Sequence, residues 1–218
     1  GLLLGNWSIP NNAVANFTGG TKYMSGSLTN DGIVNWINGD IVVYDLIGAY
    51  PKAGPIVNEN GGIWNIQCDA NLQSYNNGTN TYFQNFGTVV KTGKYGNTQI
   101  LVYYRNQGQT IVESGNLIFG YGAILSSSFT AKPGTGIYFG EGKFSSDASI
   151  SLSGPGGFYF SGGTLTLSND AIPNLNGTLN GKAFDFLRDA DDLFAGVLEV
   201  FAKGNYYWVP LDQVASLA

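Results

Sequence analysis

Apolar residues in this chain recur in short alternating runs broken by glycine, asparagine and serine, with hardly a helical period among them. Four runs open on the same turn: Asn30-Asp-Gly-Ile-Val-Asn-Trp36, Asn60-Gly-Gly-Ile-Trp-Asn-Ile66, Asn85-Phe-Gly-Thr-Val-Val90 and Asn106-Gln-Gly-Gln-Thr-Ile-Val112. The turn glycine falls at Gly32, Gly62, Gly87 and Gly108, and Trp7, Trp36 and Trp64 recur at similar spacing. Downstream, Phe129-Thr-Ala131, Ile137-Tyr-Phe139, Ile150-Ser-Leu152, Phe158-Tyr-Phe160 and Thr164-Leu-Thr-Leu167 continue as short strands between glycine turns.

A repeat of this length built from such short strands predicts an all-β fold, a single-stranded parallel β-helix (β-solenoid), over residues 1–179. Successive coils stack about 4.8 Å apart, so equivalent residues lie one above another. Trp7, Trp36 and Trp64 are expected to stack inside. Asn30, Asn60, Asn85 and Asn106 should form a ladder at one corner, with Gly32, Gly62, Gly87 and Gly108 beside them at positions of positive φ. Longer early repeats imply loops on the first coils, Asp45–Pro55 among them. The competing all-β fold, an antiparallel sandwich, predicts neither a recurring Asn-x-Gly turn nor a tryptophan row.

The runs Leu28-Thr-Asn-Asp-Gly-Ile-Val-Asn-Trp-Ile-Asn-Gly-Asp40, Gly62-Ile-Trp-Asn-Ile-Gln67 and Gly87-Thr-Val-Val-Lys-Thr-Gly93 resemble a known bacterial module. It occurs in secreted or surface-attached right-handed parallel β-helix proteins of the adhesin and filamentous-haemagglutinin type. Gly115-Asn-Leu-Ile-Phe-Gly120 and Gly162-Gly-Thr-Leu-Thr-Leu167 resemble its later coils, so the likeness spans about 5–170. It implies a fold and an extracellular or cell-surface setting, and leaves the ligand open.

From about Asn180 glycine thins out and six acidic residues fall between 181 and 218. Phe184–Phe194 has apolar residues at helical spacing, and Val197–Phe201 with Tyr206–Val209 reads as a hairpin around Lys203-Gly-Asn205. Residues 180–218 are therefore expected to form a small α+β cap or connector over the open strand edges. Gly181-Lys-Ala-Phe-Asp-Phe-Leu-Arg-Asp-Ala-Asp-Asp, Val197-Leu-Glu-Val, Gly204-Asn-Tyr-Tyr-Trp-Val-Pro210 and Val214-Ala-Ser-Leu217 resemble the C-terminal end of the ImpE family. That resemblance implies an accessory role in bacterial type VI secretion, at sheath components; the rest of the chain departs from that family, whose N-terminal part is helical.

Composition narrows the chemistry. The chain has 218 residues, 32 of them glycine, with 14% aromatic and 11% charged residues and a net charge of −5. Scarce cations argue against nucleic acid as partner, and no run approaches the length of a membrane-spanning helix. Gly1-Leu-Leu-Leu-Gly5 is too short for a signal core, so the chain reads as a mature protein or a fragment. Without histidine, Ser-His-Asp and Cys-His catalysis and His-ligated zinc are excluded. The lone Cys68 excludes an internal disulfide and reads as a buried thiol. Asp185, Asp189, Asp191 and Asp192 lack the glycine and closing glutamate of a calcium loop, so no cofactor or metal is expected.

Two carboxylate pairs, Asp31 with Glu59 and Asp40 with Asp69, would stack one coil apart, either as a glycosidase pair or as turn caps. Tyr44, Tyr50, Tyr75, Tyr82, Tyr95, Tyr103, Tyr104 and Tyr121 are candidate platforms for pyranose rings. The sequence thus points to a non-enzymatic solenoid that adheres to glycan or another surface, or self-associates into fibres. A polysaccharide-degrading enzyme on the same scaffold is the alternative, as is a secretion accessory acting through the C-terminal segment.

Overall fold

The computed structural model describes residues 1–44, 53–75 and 81–166, and beyond them the strands at 171–172, 177–179, 182–184, 186–188, 197–202 and 205–210. The chain winds three short strands per coil. The first coil holds β1 (Leu2–Leu4), β2 (Trp7–Ile9) and β3 (Val14–Phe17); the second β4 (Lys22–Ser25), β5 (Leu28–Asn30) and β6 (Ile33–Trp36); the third β7 (Ile41–Val43), β8 (Ile56–Asn58) and β9 (Ile63–Ile66). The fourth has β10 (Leu72–Ser74), β11 (Tyr82–Asn85) and β12 (Thr88–Lys91); the fifth β13 (Asn97–Leu101), β14 (Tyr103–Asn106) and β15 (Gln109–Val112). Then follow β16 (Asn116–Phe119), β17 (Ala123–Leu125) and β18 (Ser127–Ala131), and β19 (Gly136–Phe139), β20 (Lys143–Ser145) and β21 (Ile150–Ser153). An eighth coil begins with β22 (Gly157–Phe160) and β23 (Thr164–Thr166).

First, second and third strands of each coil form parallel sheets A, B and C, giving a right-handed-type β-solenoid of about seven turns. Parallel pairing ends at Thr166, and antiparallel pairing takes over in β24 (Ala171–Ile172), β25 (Gly177–Leu179), β26 (Lys182–Phe184), β27 (Phe186–Arg188), β28 (Val197–Ala202) and β29 (Asn205–Pro210). The expected hairpin is present, with Ala202 opposite Asn205. Where the expected helix at Phe184–Phe194 is described, the chain is strand instead, with Phe186–Arg188 paired to β28. Residues 189–196 lie outside the described residues, and among the latter there is no helix. Among the described residues no helix is long and apolar enough to cross a membrane.

The corner between sheets B and C fixes the register. Asn30, Asn58, Asn85 and Asn106 occupy one fully buried column. Each side-chain amide donates to the next carbonyl: Asn30 Nδ2 to Asn58 Oδ1 (2.7 Å), Asn58 Nδ2 to Asn85 Oδ1 (2.9 Å), Asn85 Nδ2 to Asn106 Oδ1 (2.8 Å). Asn106 Nδ2 closes the row on the Ser126 carbonyl (3.0 Å). The second rung is Asn58 rather than Asn60. The turn Asn58-Glu-Asn-Gly-Gly62 is two residues longer than Asn30-Asp-Gly32, so Asn60 is carried out to the exposed tip. Gly32, Gly62, Gly87 and Gly108 stay in line, but for a different reason from positive φ. A Cβ on Gly87 or Gly108 would run into the carbonyl oxygen of the glycine one coil below. Positive φ is needed instead at Gly61, in the longer turn.

Inside, aromatic rings run from the first coil to the last: Phe17, Trp64, Phe83, Tyr104, Phe119, Phe139 and Phe160 follow one another at centroid distances of 4.6–6.1 Å. The expected tryptophan row does not form. Trp36 pairs with Ile66 and Trp64 with Val34, so the two lie in different interior rows of sheet C. Trp7 lies in sheet B beside Leu28, on the first coil, and is 47% exposed. The coil advances 30 residues from Ile33 to Ile63, whereas the two tryptophans are 28 apart, which offsets them by one alternation.

Tyr104, a candidate ligand contact by sequence, is likewise an interior residue: it is fully buried, and its hydroxyl meets Thr110 Oγ1 at 2.7 Å and Asn106 Oδ1 at 3.4 Å. Burial pushes its phenol well above the ordinary tyrosine range. The unfolded phenol ionises near its usual value of 10.0 while the folded one keeps its proton, so the folded state binds more protons above that pH. Stability is expected to fall as pH rises beyond 10.0, and Tyr104→Phe should flatten that slope in denaturant titrations across pH. Asn58→Ala, which strips a fully buried rung of its partners, should lower unfolding stability by about 3 kcal/mol in the same titrations, while Asn60→Ala changes it by less than about 0.5 kcal/mol.

Candidate functional site

Strand alternation decides which side chains face outward, and coil stacking decides which of those meet. Tyr44 follows β7, Tyr75 follows β10, and Tyr121 sits in the turn between β16 and β17. All three lie at the corner where the chain passes from sheet A to sheet B. Tyr82 and Tyr103 open β11 and β14 at that same corner and pair with each other in register. Five of the eight sequence candidates therefore gather along one edge of coils three to six. Tyr44 and Tyr75 pack at a 4.9 Å centroid distance with a 48° tilt, and Tyr75 and Tyr121 are 66% and 45% exposed. Tyr95, 92% exposed, belongs to the opposite corner between sheets C and A. Tyr50 lies outside the described residues.

Arg105 completes the strip. On β14 it faces outward two residues after Tyr103, with its guanidinium carbon 4.1 Å from the Tyr82 ring centroid and 5.9 Å from that of Tyr103. Its Nε is shut from solvent with no acceptor, and it makes no ion pair with a described residue. Sequence reading passed over it, because its ring partner Tyr82 lies one coil earlier and no motif links the two. It also passed over Tyr138 and Tyr159, whose rings stack at 4.4 Å and 18° on the outward face of sheet A. That pair did have a signal: Ile137-Tyr-Phe139 and Phe158-Tyr-Phe160 each place the central tyrosine opposite two interior residues. Both rings fold over neighbouring glycines, and a Cβ on Gly136 or Gly157 would strike them. Burial and the neighbouring Tyr159 raise the Tyr138 phenol above its ordinary value.

The two carboxylate pairs fall on corners. Asp31 and Glu59 directly follow the paired Asn30 and Asn58 in successive coils. Asp40 and Asp69 line an open cleft of about 750 Å³ at the corner between sheets C and A, with Gln67, Cys68 and Lys94. Both hold turns. Asp40 Oδ1 accepts the Asn71 amide (2.9 Å); Asp69 Oδ2 accepts the Gly96 amide (3.2 Å) and Oδ1 the Lys91 ammonium (3.0 Å).

Lys91 is an interior residue in the row of Trp36, Ile66 and Val112, fully buried. Its Nζ also donates to the Cys68 and Gly93 carbonyls (2.9 and 3.2 Å) and to Thr98 Oγ1 (3.3 Å). Lys22 enters the same corner and donates to the Asn38 carbonyl; burial lowers its ammonium, against the pull of Cys68 and Asp40. Cys68 is buried and free. Desolvation raises its thiol despite the two ammonium groups nearby, which keeps it protonated and a poor nucleophile. Among the described residues no three or more His, Cys, Asp or Glu side chains converge as metal ligands.

Residues 181–218 match the ImpE family, described as ImpE protein. No curated protein and no solved structure matches the chain significantly. The matched segment includes the antiparallel strands β26 to β29 and none of the coils that carry the tyrosine strip.

Asp69→Ala leaves the buried Lys91 ammonium with neutral acceptors only. It should lower unfolding stability by about 2 kcal/mol, below the usual loss for a broken buried pair because Asp69 is 38% exposed. Adding Lys91→Met should restore most of that loss in the same denaturant titration.

Proposed function

We propose that this solenoid is a non-enzymatic binding module of a secreted or cell-surface protein, which holds glycan chains along the corner between sheets A and B. The observation that carries this reading is the gathering of Tyr44, Tyr75, Tyr82, Tyr103 and Tyr121 on one edge of four successive coils. Rings repeated at the strand spacing of about 4.8 Å present a ladder of apolar faces with polar tips, which suits the alternating apolar and hydroxyl faces of a sugar chain. Each contact is weak, and several on one rigid edge add through effective concentration. The engagement of Asp40 and Asp69 with backbone amides and Lys91 fits turn-holding better than acid–base chemistry.

One observation favours an accompanying reading. The ImpE match at 181–218 supports a role for that segment at type VI secretion sheath components, separate from the strip.

A glycan array with the full chain, run beside a reducing-end assay on the same polysaccharides, tests the main reading. Binding without product is expected. Tyr75→Ala and Tyr121→Ala should each weaken that binding about tenfold with unchanged thermal unfolding, and Tyr95→Ala should leave it intact. Product release, or equal effects from Tyr95→Ala, would sink the assignment.

A further inference from the structure

The outward face of sheet B has a charge pattern that the tyrosine strip alone does not explain. One outward row reads Ser8, Thr29, Val57, Gln84, Arg105, Ile124, Ser145 and Thr166; the other includes Tyr82, Tyr103, Gly122, Lys143 and Thr164. These rows contain two cations and no carboxylate, in a chain whose net charge is −5. The described acids flanking sheet B sit in turns: Asp31 and Glu59 follow β5 and β8, Glu141 precedes β20, and Asp147 follows it and accepts the Ser126 hydroxyl.

Arg105 is held rather than loose. Its guanidinium carbon sits 4.1 Å from the Tyr82 ring centroid, a cation–π contact that holds the group over the ring without using its N–H donors. Gln84, its neighbour in the row, donates to the Arg105 carbonyl (3.4 Å) and to Gln107 Oε1 (3.3 Å), so the backbone beneath it is tied as well. A guanidinium positioned this way, with no carboxylate partner among the described residues, is suited to a planar bidentate anion.

Resting on the glycan-binding reading above, we propose that Arg105, flanked by Lys143, makes this face a subsite for acidic sugar units. The carboxylate or sulfate of the sugar pairs with the guanidinium while Tyr82 and Tyr103 border its ring. Lys143 adds an exposed second charge two coils further on. The low overall cation count opposes a general polyanion surface, so sugar rather than nucleic acid is the assigned class.

The test measures binding of the full chain to oligogalacturonate and its methyl-esterified counterpart, to dextran sulfate and dextran, and to a single-stranded oligonucleotide. At least one acidic sugar should bind about tenfold tighter than its neutral partner at low salt, with the gap shrinking as salt rises. Whether it opens for the carboxylate pair, the sulfate pair or both identifies the anion. Arg105→Gln should reduce the gap to under about threefold while neutral-glycan binding persists. Lys143→Ala, on an exposed residue, should narrow it by about twofold even if the Arg105 variant folds poorly. Equal binding of acidic and neutral partners overturns this inference and leaves the glycan reading standing. A gap untouched by both variants, or an oligonucleotide bound as tightly as the acidic sugar, overturns it too. Loss of all glycan binding by the unmodified chain overturns both.

Discussion

The whole solenoid depends on how closely one coil can sit on the next at the corner between sheets B and C. There the glycine column lets backbone approach backbone with no side chain between, and the asparagine column converts that closeness into a continuous row of side-chain hydrogen bonds. A buried amide has both a donor and an acceptor, so a column of them is satisfied only when every coil is in register. A slip of one residue would orphan several fully buried groups and turn each strand's interior face outward. The tyrosine at position 104 ties the aromatic interior to the same row through Asn106 and Thr110.

With the asparagine column fixed, the largest differences in coil length are taken at another corner. Between sheets A and B the connection ranges from Val102 alone, between β13 and β14, to the residues between Val43 and Ile56. Repeats of unequal length in sequence thus keep short turns at one corner and vary widely at another. The variable corner is also where the exposed tyrosines lie, which is the usual division in a scaffold: constrained positions stack, and free positions are available to contact something else. The interior cations show the same logic reversed. Lys91 is tolerated inside only because the corner between sheets C and A supplies three neutral acceptors and the Asp69 carboxylate at once.

Much of this was legible in the sequence because stacking imposes its own repeat. The Asn-x-Gly turns marked the corner, and the strand alternation marked the inside. Legibility failed where identical residues were matched by distance alone. Asn60 resembles a rung, yet a two-residue insertion moves it to a turn tip and puts Asn58 in the column. Trp36 and Trp64 look equivalent, yet the loop between Val43 and Ile56 and the longer turn before Gly62 shift them into different rows. Tyr104 looks like its neighbour Tyr103, and only the alternation phase separates an interior phenol from an outward one. For the segment after Phe184, apolar residues at three-to-four spacing fit a helix as well as a strand, and pairing with β28 decides between them.

Arg105 was the least legible residue, and the reason bears on how a solenoid acquires function. Its partners Tyr82 and Tyr103 precede it by 23 and 2 residues, distances set by the length of one coil rather than by any motif. On such a scaffold a site is assembled perpendicular to the chain, from one residue in each of several coils. Outward positions carry no stacking constraint, so a cation or a ring can be placed there without disturbing the asparagine column beneath. The chemistry of a β-solenoid therefore has to be read down its rows. Read that way, the outward rows of sheet B bring a stacked guanidinium and a second cation next to an aromatic edge.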